Sequence, residues 1–276
     1  MRAGLLQLNV SDDPAANLPE TRALIRAAAQ GGAGFVLTPE VTNCISGDRA
    51  HQQAMLHPEE TDPTLAALRA DAADLGIWLL IGSLGLKTDD ADGRFANRSF
   101  LIAPDGAVAA RYDKIHMFDV NVSETEIYRE SAGYRPGARA VVADTPFGKV
   151  GMTVCYDVRF PTLYRALAKA GAEVLTVPAA FNHITGQAHW EVLLRARAIE
   201  TGCFVLAPAQ VGEHAAHDGR TRKTYGHALA VAPWGEVLSD AGTKVGVTFV
   251  DIDRAAVARA RARVPSLMHD RPFEGP

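Results

Sequence analysis

The sequence predicts an α/β fold whose sheets combine parallel and antiparallel strand pairs. Two observations support this fold class: short apolar runs alternate with helical patterns along the chain, and β-hairpin signals interrupt that alternation. The 276 residues contain neither an internal repeat nor a low-complexity linker. We therefore expect residues 1–276 to form one domain.

The first half of the chain predicts strands and helices in alternation, followed by a hairpin. Residues 4–10 (GLLQLNV) are typical of a first strand. Asp13 as N-cap and Pro14 as first helical residue then begin a helix that ends at Gly31 and Gly32. The next predicted elements are a buried strand over 34–40, a helix over 65–75, a strand over 76–84 and a hairpin over 97–114.

The second half continues the alternation after a polar loop. Residues 149–155 (KVGMTVC) predict a strand, and residues 161–171 predict a helix that ends at Gly171. The remaining predicted elements are a strand over 172–178, a helix over 187–202, strands over 203–210, 225–233 and 245–252, and a last helix capped by Asp253.

Three chemically reactive side chains follow predicted strands: Glu40, Lys114 and Cys155. Ligands of such sheets bind beyond the carboxyl ends of the strands, so we expect the three side chains to meet at one edge of the sheet. Taken singly, each has another interpretation. Cys155 is then an inert core residue, Lys114 a solvated charge at a strand end, and Glu40 a cap of a helix or loop.

Together, the three side chains can attack a carbonyl group. A carboxylate near a thiol can accept its proton, and a nearby ammonium favours the thiolate. The same ammonium and the backbone N–H of Tyr156 can stabilise the oxyanion that forms when a thiolate attacks a carbonyl carbon. Because this chemistry uses only side chains and backbone, we expect no metal or organic cofactor.

The segments around these residues resemble the nitrilase superfamily, the carbon–nitrogen hydrolases. Glu40 in LTPEVTN, Lys114 in YDKIHMFDV and Cys155 in VCYDVRFP match its Glu-Lys-Cys triad, and Glu130 in YRESAGYRPG resembles its second glutamate. The resemblance covers nearly the whole chain, and the departures lie in loops, at 122–127 and in an insert over 214–223. It implies a four-layer α-β-β-α sandwich of nitrilase type with mixed sheets, amide hydrolysis through a cysteine thioester, and a homodimer or higher homo-oligomer paired through helices.

The latter half of the chain is most similar to the branch of Nit-type amidases that act on deaminated glutathione, neighbours of the omega-amidases. This resemblance implies cleavage to 2-oxoglutarate and cysteinylglycine, with free 2-oxoglutaramate or another small linear amide as the alternative substrate. The 2-oxo acid needs a cation, and we predict Arg159, unless that arginine pairs with Asp157. Phe181 and Thr185, in the loop after the predicted strand over 172–178, are the further candidates for substrate binding. A non-catalytic binding module on the same fold is the alternative of a different class.

A predicted helix over 187–200 carries an arginine in its apolar stripe. The stripe consists of Trp190, Leu193, Leu194 and Arg197. If Arg197 is buried it requires an acidic partner, either Glu200 on the same helix or a residue across a subunit contact.

Composition excludes several classes of protein. The net charge of -4 gives no reason to expect a nucleic-acid or anionic-membrane partner, and no apolar stretch reaches the roughly 20 residues of a membrane helix. Three scattered cysteines do not make a disulfide framework, and the N-terminus lacks the pattern of a secretory signal, so we expect a soluble, cytoplasmic protein. His214 and His217 lack an evident third ligand, so we expect no metal site there.

Overall fold

The structure, a computed structural model, describes residues 1–124 and 126–275. Thr125, within the loop that departs from the family pattern, lies outside the described residues. The α-helices span Pro14–Gln30 (α1), Arg49–Met55 (α2), Pro63–Leu75 (α3), Pro161–Lys169 (α4), His183–Thr201 (α5) and Ala255–Arg263 (α6). Short 3₁₀ turns occupy Glu59–Thr61, Glu130–Ala132, Cys155–Arg159 and Ser266–Met268.

The strands form two large sheets and one small hairpin. They span Arg2–Leu8 (β1), Phe35–Leu37 (β2), Trp78–Leu86 (β3), Ala96–Ile102 (β4), Val108–Asp113 (β5), Asp119–Asn121 (β6), Ile127–Arg129 (β7), Val141–Thr145 (β8), Gly148–Met152 (β9), Val174–Thr176 (β10), Phe204–Ala207 (β11), Ala209–His214 (β12), Arg222–Tyr225 (β13), Leu229–Val231 (β14), Val237–Asp240 (β15) and Gly246–Asp251 (β16). One sheet has the order β13-β12-β1-β2-β3-β4-β5 with β16 also paired to β1, the second has the order β15-β14-β11-β10-β9-β8, and β6 pairs with β7.

Both large sheets mix strand directions, as the sequence predicts. In the first sheet β2 is parallel to β1 and β3, whereas β4 is antiparallel to β3 and β5. In the second sheet β10 is parallel to β9 and β11, and the flanking pairs are antiparallel. Parallel pairs need crossover connections, which the helices supply.

Side-chain alternation along β1 shows how the layers stack. Ala3 and Leu5 belong to the apolar cluster that also contains residues of the second sheet and of α4 and α5. Leu6 and Leu8 belong to a second cluster, shared with α1 and α3. Because successive strand residues point to opposite faces, the first sheet lies between a helix layer and the second sheet. The order is helices, sheet, sheet, helices, which is the predicted α-β-β-α sandwich.

Two segments that were predicted as single strands are each divided into two strands, and the two strands belong to different sheets. The predicted strand 203–210 is broken at Pro208, so that β11 lies in the second sheet and β12 in the first. The predicted strand 225–233 is broken at Gly226 and His227, which have φ angles of 80° and 54°. Proline lacks the ladder N–H and a positive φ ends an extended strand, so the chain changes sheet at both places.

Helix ends agree with the predicted caps at some positions and differ at others. Asp13 is the N-cap of α1, and its carboxylate accepts the N–H groups of the first turn. Helix α5 begins at His183 rather than at residue 187, because the Asn182 side chain caps the earlier turn. Asp253 also accepts an N–H at the start of α6, although the helix itself begins after Arg254. No local sequence pattern predicted the elements α2, β6, β7, β8, β13 and β15.

The apolar stripe of α5, which includes Arg197, faces the interior of the protein. Trp190 is buried and donates its indole N–H to the backbone oxygen of His227. Arg197 donates to the oxygen of Val158 and pairs with Glu200 at 2.7 Å. The local partner predicted for Arg197 is therefore present, and the stripe packs against other segments of the same chain. Among the described residues, no helix is long and apolar enough to span a bilayer.

Candidate active site

Strand ends from both sheets position the three predicted reactive side chains. Glu40 follows β2, Lys114 directly follows β5, and Cys155 follows β9. The three side chains do meet, but not at one edge of one sheet: β2 and β5 belong to the first sheet, and β9 belongs to the second. The site therefore lies where the two sheets pack together.

An irregular segment of β3 holds the loop that carries Glu40. The register of β3 against β4 shifts between Ile81 and Leu84, which is typical of a bulge. Within it, Ser83 accepts the N–H of Val41 at 2.8 Å through its hydroxyl. Val41 has a φ of 47°, which is rare for a β-branched residue, so this contact stabilises a strained conformation directly after Glu40.

A second strained residue is the predicted nucleophile itself. Cys155 has a φ of 49° at the start of its 3₁₀ turn, and its N–H donates to the oxygen of Pro178 at 2.9 Å. The buried carboxylate of Asp157 fixes this turn by accepting the N–H of Val154 at 2.8 Å and the hydroxyl of Tyr112 at 2.7 Å. Strain of this kind costs on the order of 1–3 kcal/mol and persists only where the surroundings enforce it, as at many functional sites.

Four polar side chains form one buried network around the site. Lys114 Nζ donates to Glu40 Oε1 at 2.9 Å and to the two oxygens of Glu130 at 2.9 and 2.8 Å. Asn97 Nδ2 donates to Glu40 Oε1 at 2.9 Å and to Glu130 Oε1 at 3.3 Å. Glu40 Oε2 accepts the backbone N–H of Ala180 at 2.8 Å. The Glu40 carboxylate is thus held by three donors from three separate segments.

This network sets the protonation states of the site. Burial alone would raise the pKa of Glu40, but the charge and hydrogen bond of Lys114 outweigh it and lower the pKa to about 2. Burial would lower the pKa of Lys114, and the charges of Glu130 and Glu40 raise it well above its usual value. Both groups are charged at neutral pH.

The thiol of Cys155 is protonated in the resting protein. Burial and the negative charge of Glu40 raise its pKa well above the usual value, against the opposing charge of Lys114. The charge of Lys114 does favour the thiolate, as expected from the sequence, but burial and Glu40 outweigh its effect. The Glu40 carboxylate interacts with this thiol, so a group that can accept its proton lies beside the sulfur.

A cavity of about 740 Å³ opens onto these groups. Its lining includes Glu40, Lys114, Cys155 and Glu130 together with Tyr156, Phe181 and Thr185. A volume of this size is typical of small-molecule sites, which span about 300–1,000 Å³. Phe181 lies in the predicted loop, but Thr185 lies in the first turn of α5, since that helix begins earlier than the sequence predicts.

Arg159 is the predicted site residue that the structure does not bring to the cavity lining. Its guanidinium lies 5.4 Å from the ring centre of Phe181 and 5.9 Å from that of Tyr156. Its Nη2 is 3.3 Å from His189 Nδ1. Asp157, its alternative partner, instead binds Val154, Tyr112 and His116. A direct role of Arg159 in binding a carboxylate stays a prediction.

The sequence profile of the carbon–nitrogen hydrolases matches residues 2–262. This chain belongs to the carbon–nitrogen hydrolase family.

Individual relatives of this carbon–nitrogen hydrolase agree with that assignment. The chain is 40% identical over 270 residues to the deaminated glutathione amidase of Yersinia enterocolitica, covering 97% of this chain and 92% of that protein. The crystal structure of the C. elegans NitFhit protein matches with a TM-score of 0.89 and 33% identity, over 98% of this chain and 65% of that one. A member of branch 10 of the nitrilase superfamily from Saccharomyces cerevisiae matches with a TM-score of 0.86 and 26% identity, over 99% and 97%. The predicted family and fold are confirmed.

Sequence reasoning missed two polar side chains in the site of this carbon–nitrogen hydrolase. Asn97 lies in β4 and contacts both glutamates, and Arg222 lies at the start of β13 and lines the cavity. An amide inside a predicted hairpin strand carries no motif. The run of cations in the 214–223 insert was a signal for Arg222, but nothing in the sequence places that insert over the cavity.

One histidine of the insert, His217, belongs to a cluster that the sequence did not reveal. His217 lies with Asp12 and His51, and their ligand-type atoms lie within 4.8 Å of one another. A third metal-ligating side chain is therefore close to His217, contrary to the sequence-based expectation. The two imidazole rings are stacked at 4.0 Å with an angle of 13° between their planes. The Asp12 carboxylate contacts His217 Nδ1 at 2.7 Å and lies 3.4 Å from His51 Nε2, so the three side chains form one hydrogen-bonded cluster.

The other predicted histidine, His214, is buried away from that cluster. Its two ring nitrogens contact the oxygen of Val10 and the hydroxyl of Thr224, each at 2.7 Å. Burial lowers its pKa to about 4, so it is neutral at physiological pH. Its role is to join β12 and β13 to the N-terminal segment.

Proposed function

We propose that this carbon–nitrogen hydrolase cleaves the amide bond of deaminated glutathione through a thioester on Cys155, releasing 2-oxoglutarate and cysteinylglycine. The observation that supports the mechanism is the Glu40 carboxylate, which Lys114 keeps ionised and which interacts with the Cys155 thiol. The choice of substrate is supported by relatives in distant organisms. The similar proteins of Yersinia enterocolitica and Homo sapiens are deaminated glutathione amidases.

In the acylation step Glu40 is the general base and then the general acid. It accepts the thiol proton while the sulfur of Cys155 forms a bond to the amide carbon. The negative charge moves to the carbonyl oxygen, where Lys114 and the N–H of Tyr156 stabilise it. When the carbon–nitrogen bond breaks, Glu40 gives the same proton to the leaving nitrogen, so cysteinylglycine departs as a neutral amine.

In the deacylation step a water molecule replaces the amine. Glu40 accepts a proton from the water as its oxygen bonds to the thioester carbon, and the carbon–sulfur bond breaks. The proton returns to the sulfur of Cys155, and 2-oxoglutarate leaves. Glu130 has its carboxylate fixed by Lys114 and by the N–H of Phe118 at 2.6 Å. We assign it the positioning of the carbonyl carbon and of the attacking water.

A comparison of kcat/KM on three substrate types with one enzyme preparation tests this function. We expect deaminated glutathione to exceed both 2-oxoglutaramate and simple aliphatic amides. A clear preference for 2-oxoglutaramate would instead identify an omega-amidase, and similar values for simple amides would remove the need for a carboxylate site. Full activity of Cys155→Ala would contradict the mechanism, and no hydrolysis of any amide by the wild type would favour a non-catalytic binding module.

We further propose that residues 1–276 act as one domain and that the protein is a cytoplasmic homodimer. Val192 and Ile199 are exposed on α5, where they are available to a second copy. All three cysteines are free, including the proposed nucleophile, which suits a reducing compartment. Sedimentation velocity tests the dimer, and a single species with the mass of a monomer at micromolar concentration would contradict it.

A further inference from the structure

Arg222 is a partly buried cation with unused hydrogen-bonding capacity beside the proposed active site. Its Nη2 donates to the backbone oxygen of Ala180 at 2.9 Å. Its Nε is buried and has no partner within residues 1–124 and 126–275. The guanidinium also lies 5.5 Å from the ring centre of Tyr128 in the cavity wall. A buried N–H without an acceptor is costly, so this donor is suited to a ligand.

Arg222 lies near the end of the cavity that contains Glu40 and Cys155. Ala180 accepts from Arg222 through its oxygen and donates to Glu40 through its nitrogen, so one residue joins the guanidinium to the general base. The charge of Arg222 also contributes, after that of Lys114, to the low pKa of Glu40. The guanidinium therefore lies near the acyl half of a substrate bound at Cys155.

The other arginines that line the cavity differ from Arg222. Arg49 and Arg129 are exposed, and they donate to backbone and amide oxygens at the rim. Arg220 is 89% exposed in its side chain and lies near Asp218. Among the described residues no carboxylate lies within ion-pair distance of Arg222. It is a partly desolvated cation whose planar donors fit an incoming carboxylate.

We propose that Arg222 binds the carboxylate at the acyl end of the substrate. The substrate class is then linear amides whose acyl half ends in a carboxylate, which deaminated glutathione and 2-oxoglutaramate share. This inference rests on the proposed amidase function. It also gives the 214–223 insert a role, because β13 begins at the end of that insert and carries the arginine into the cavity.

The test compares linear amides that carry a carboxylate on the acyl half, on the leaving group or on neither. Arg222→Gln removes the charge and keeps a side chain of similar length, and Arg159→Gln tests the rival anchor predicted from the sequence, which lies outside the cavity lining. Each variant is assayed with 2-oxoglutaramate, with pentanamide, and with pentanoyl-cysteinylglycine, whose carboxylate lies on the leaving dipeptide. We expect Arg222→Gln to lower kcat/KM on 2-oxoglutaramate about 10- to 100-fold more than on the other two substrates. Arg159→Gln should produce no such discrimination.

Three outcomes would overturn the inference. Equal losses on all three substrates would mean that Arg222 acts only through Glu40 or through folding, which thermal melting separates. A loss confined to pentanoyl-cysteinylglycine would place the bound carboxylate on the leaving group. Discrimination by Arg159→Gln in place of Arg222→Gln would identify Arg159 as the anchor.

A binding measurement separates this inference from the proposed function. Calorimetric titration of 2-oxoglutarate into Cys155→Ala needs no turnover, and adding Arg222→Gln should weaken that binding about 10- to 100-fold. If the wild type hydrolyses none of the amides but this difference is found, the proposed function fails and the anchor stands. If 2-oxoglutarate binds both proteins equally, or neither, the anchor is wrong.

Discussion

Lys114 determines the charge state of the site at the scale of single residues. It contacts the carboxylates of Glu40 and Glu130 in a region where its own side chain is only 2% exposed. Removal of one partner from such a buried network leaves an uncompensated charge, which is far more costly than the loss of an exposed pair. The same contact keeps Glu40 ionised. Both the stability of this buried network and the charge of Glu40 therefore depend on the ammonium group of Lys114.

Lys114→Met should move the acidic limb of the pH profile of kcat/KM to higher pH. The profile is measured on the residual activity of the variant. In the wild type the pKa of Glu40 is about 2, and burial opposes the effect of Lys114. Without the cation burial dominates, the protonated form is favoured, and we expect the limb to move up by about 1–3 pH units. Lys149→Met, at an exposed lysine of β9, is the control that should retain the wild-type profile. An unchanged limb in Lys114→Met, with a normal melting temperature, would show that Lys114 does not ionise Glu40.

The low pKa of Glu40 also predicts how stability changes with acid. A carboxyl group with a folded pKa of about 2 and an unfolded value near 4.5 stabilises the fold above the unfolded value. That contribution is lost as the pH falls from 4.5 toward 2. In Lys114→Met we expect the pKa of Glu40 to rise, so this contribution to the stability of the fold should be absent.

At the scale of elements, the bulge of β3 connects the first sheet to the loop that carries Glu40. Gly82 lies in this bulge and donates its N–H to the hydroxyl of Thr38. A Cβ at Gly82 would lie against the backbone oxygens of Thr38 and Pro39, inside van der Waals contact. Only glycine allows β3 to approach the segment before Glu40 this closely.

Gly82→Ala should therefore displace Glu40 and destabilise the fold. We expect a loss of about 1–3 kcal/mol in the free energy of unfolding, measured with urea, and a fall in kcat. Gly34→Ala is the matched control, since a Cβ at that glycine meets no atom within 4 Å. Equal stability and activity of the two variants would show that the close approach is not needed.

Local sequence patterns are sufficient to predict some elements of this fold and insufficient for others. Asp13 and Pro14 predicted the start of α1 correctly, because a cap is a local interaction. The change of sheet at Pro208 was not predicted, since the choice of sheet depends on pairing with strands that are distant in the sequence. The same reason applies to Asn97 and Arg222, whose partners lie far away in sequence. Glu40, Lys114 and Cys155 were predicted because each follows a strand within a family motif.

At the scale of the whole molecule, the site exists only where the two sheets meet. The first sheet supplies Glu40 and Lys114, and the second supplies Cys155. The core cluster that joins the sheets includes both β1 residues and β9 residues, so packing of the sandwich fixes the distance between Glu40 and Cys155, the proposed base and nucleophile. Loosening of this interface would separate the two side chains.

Activity should not depend on a metal ion. All the proposed chemistry is carried out by side chains and backbone, so prolonged dialysis against EDTA should leave kcat unchanged, with metal content checked by elemental analysis. Loss of activity that added zinc restores would contradict this expectation. Asp12, His51 and His217 would then be the first residues to substitute.

The central claim is that Cys155 forms a thioester with the acyl half of the amide, and rapid-quench mass spectrometry tests it most directly. The enzyme is mixed with 2-oxoglutaramate or deaminated glutathione, quenched in acid during turnover, digested and sequenced. The account predicts the same acyl adduct from both substrates on the peptide that contains Cys155, and no adduct in Cys155→Ala, while Cys203→Ala reacts as the wild type does. An adduct on Cys44 or Cys203, or full turnover by Cys155→Ala, would contradict the account.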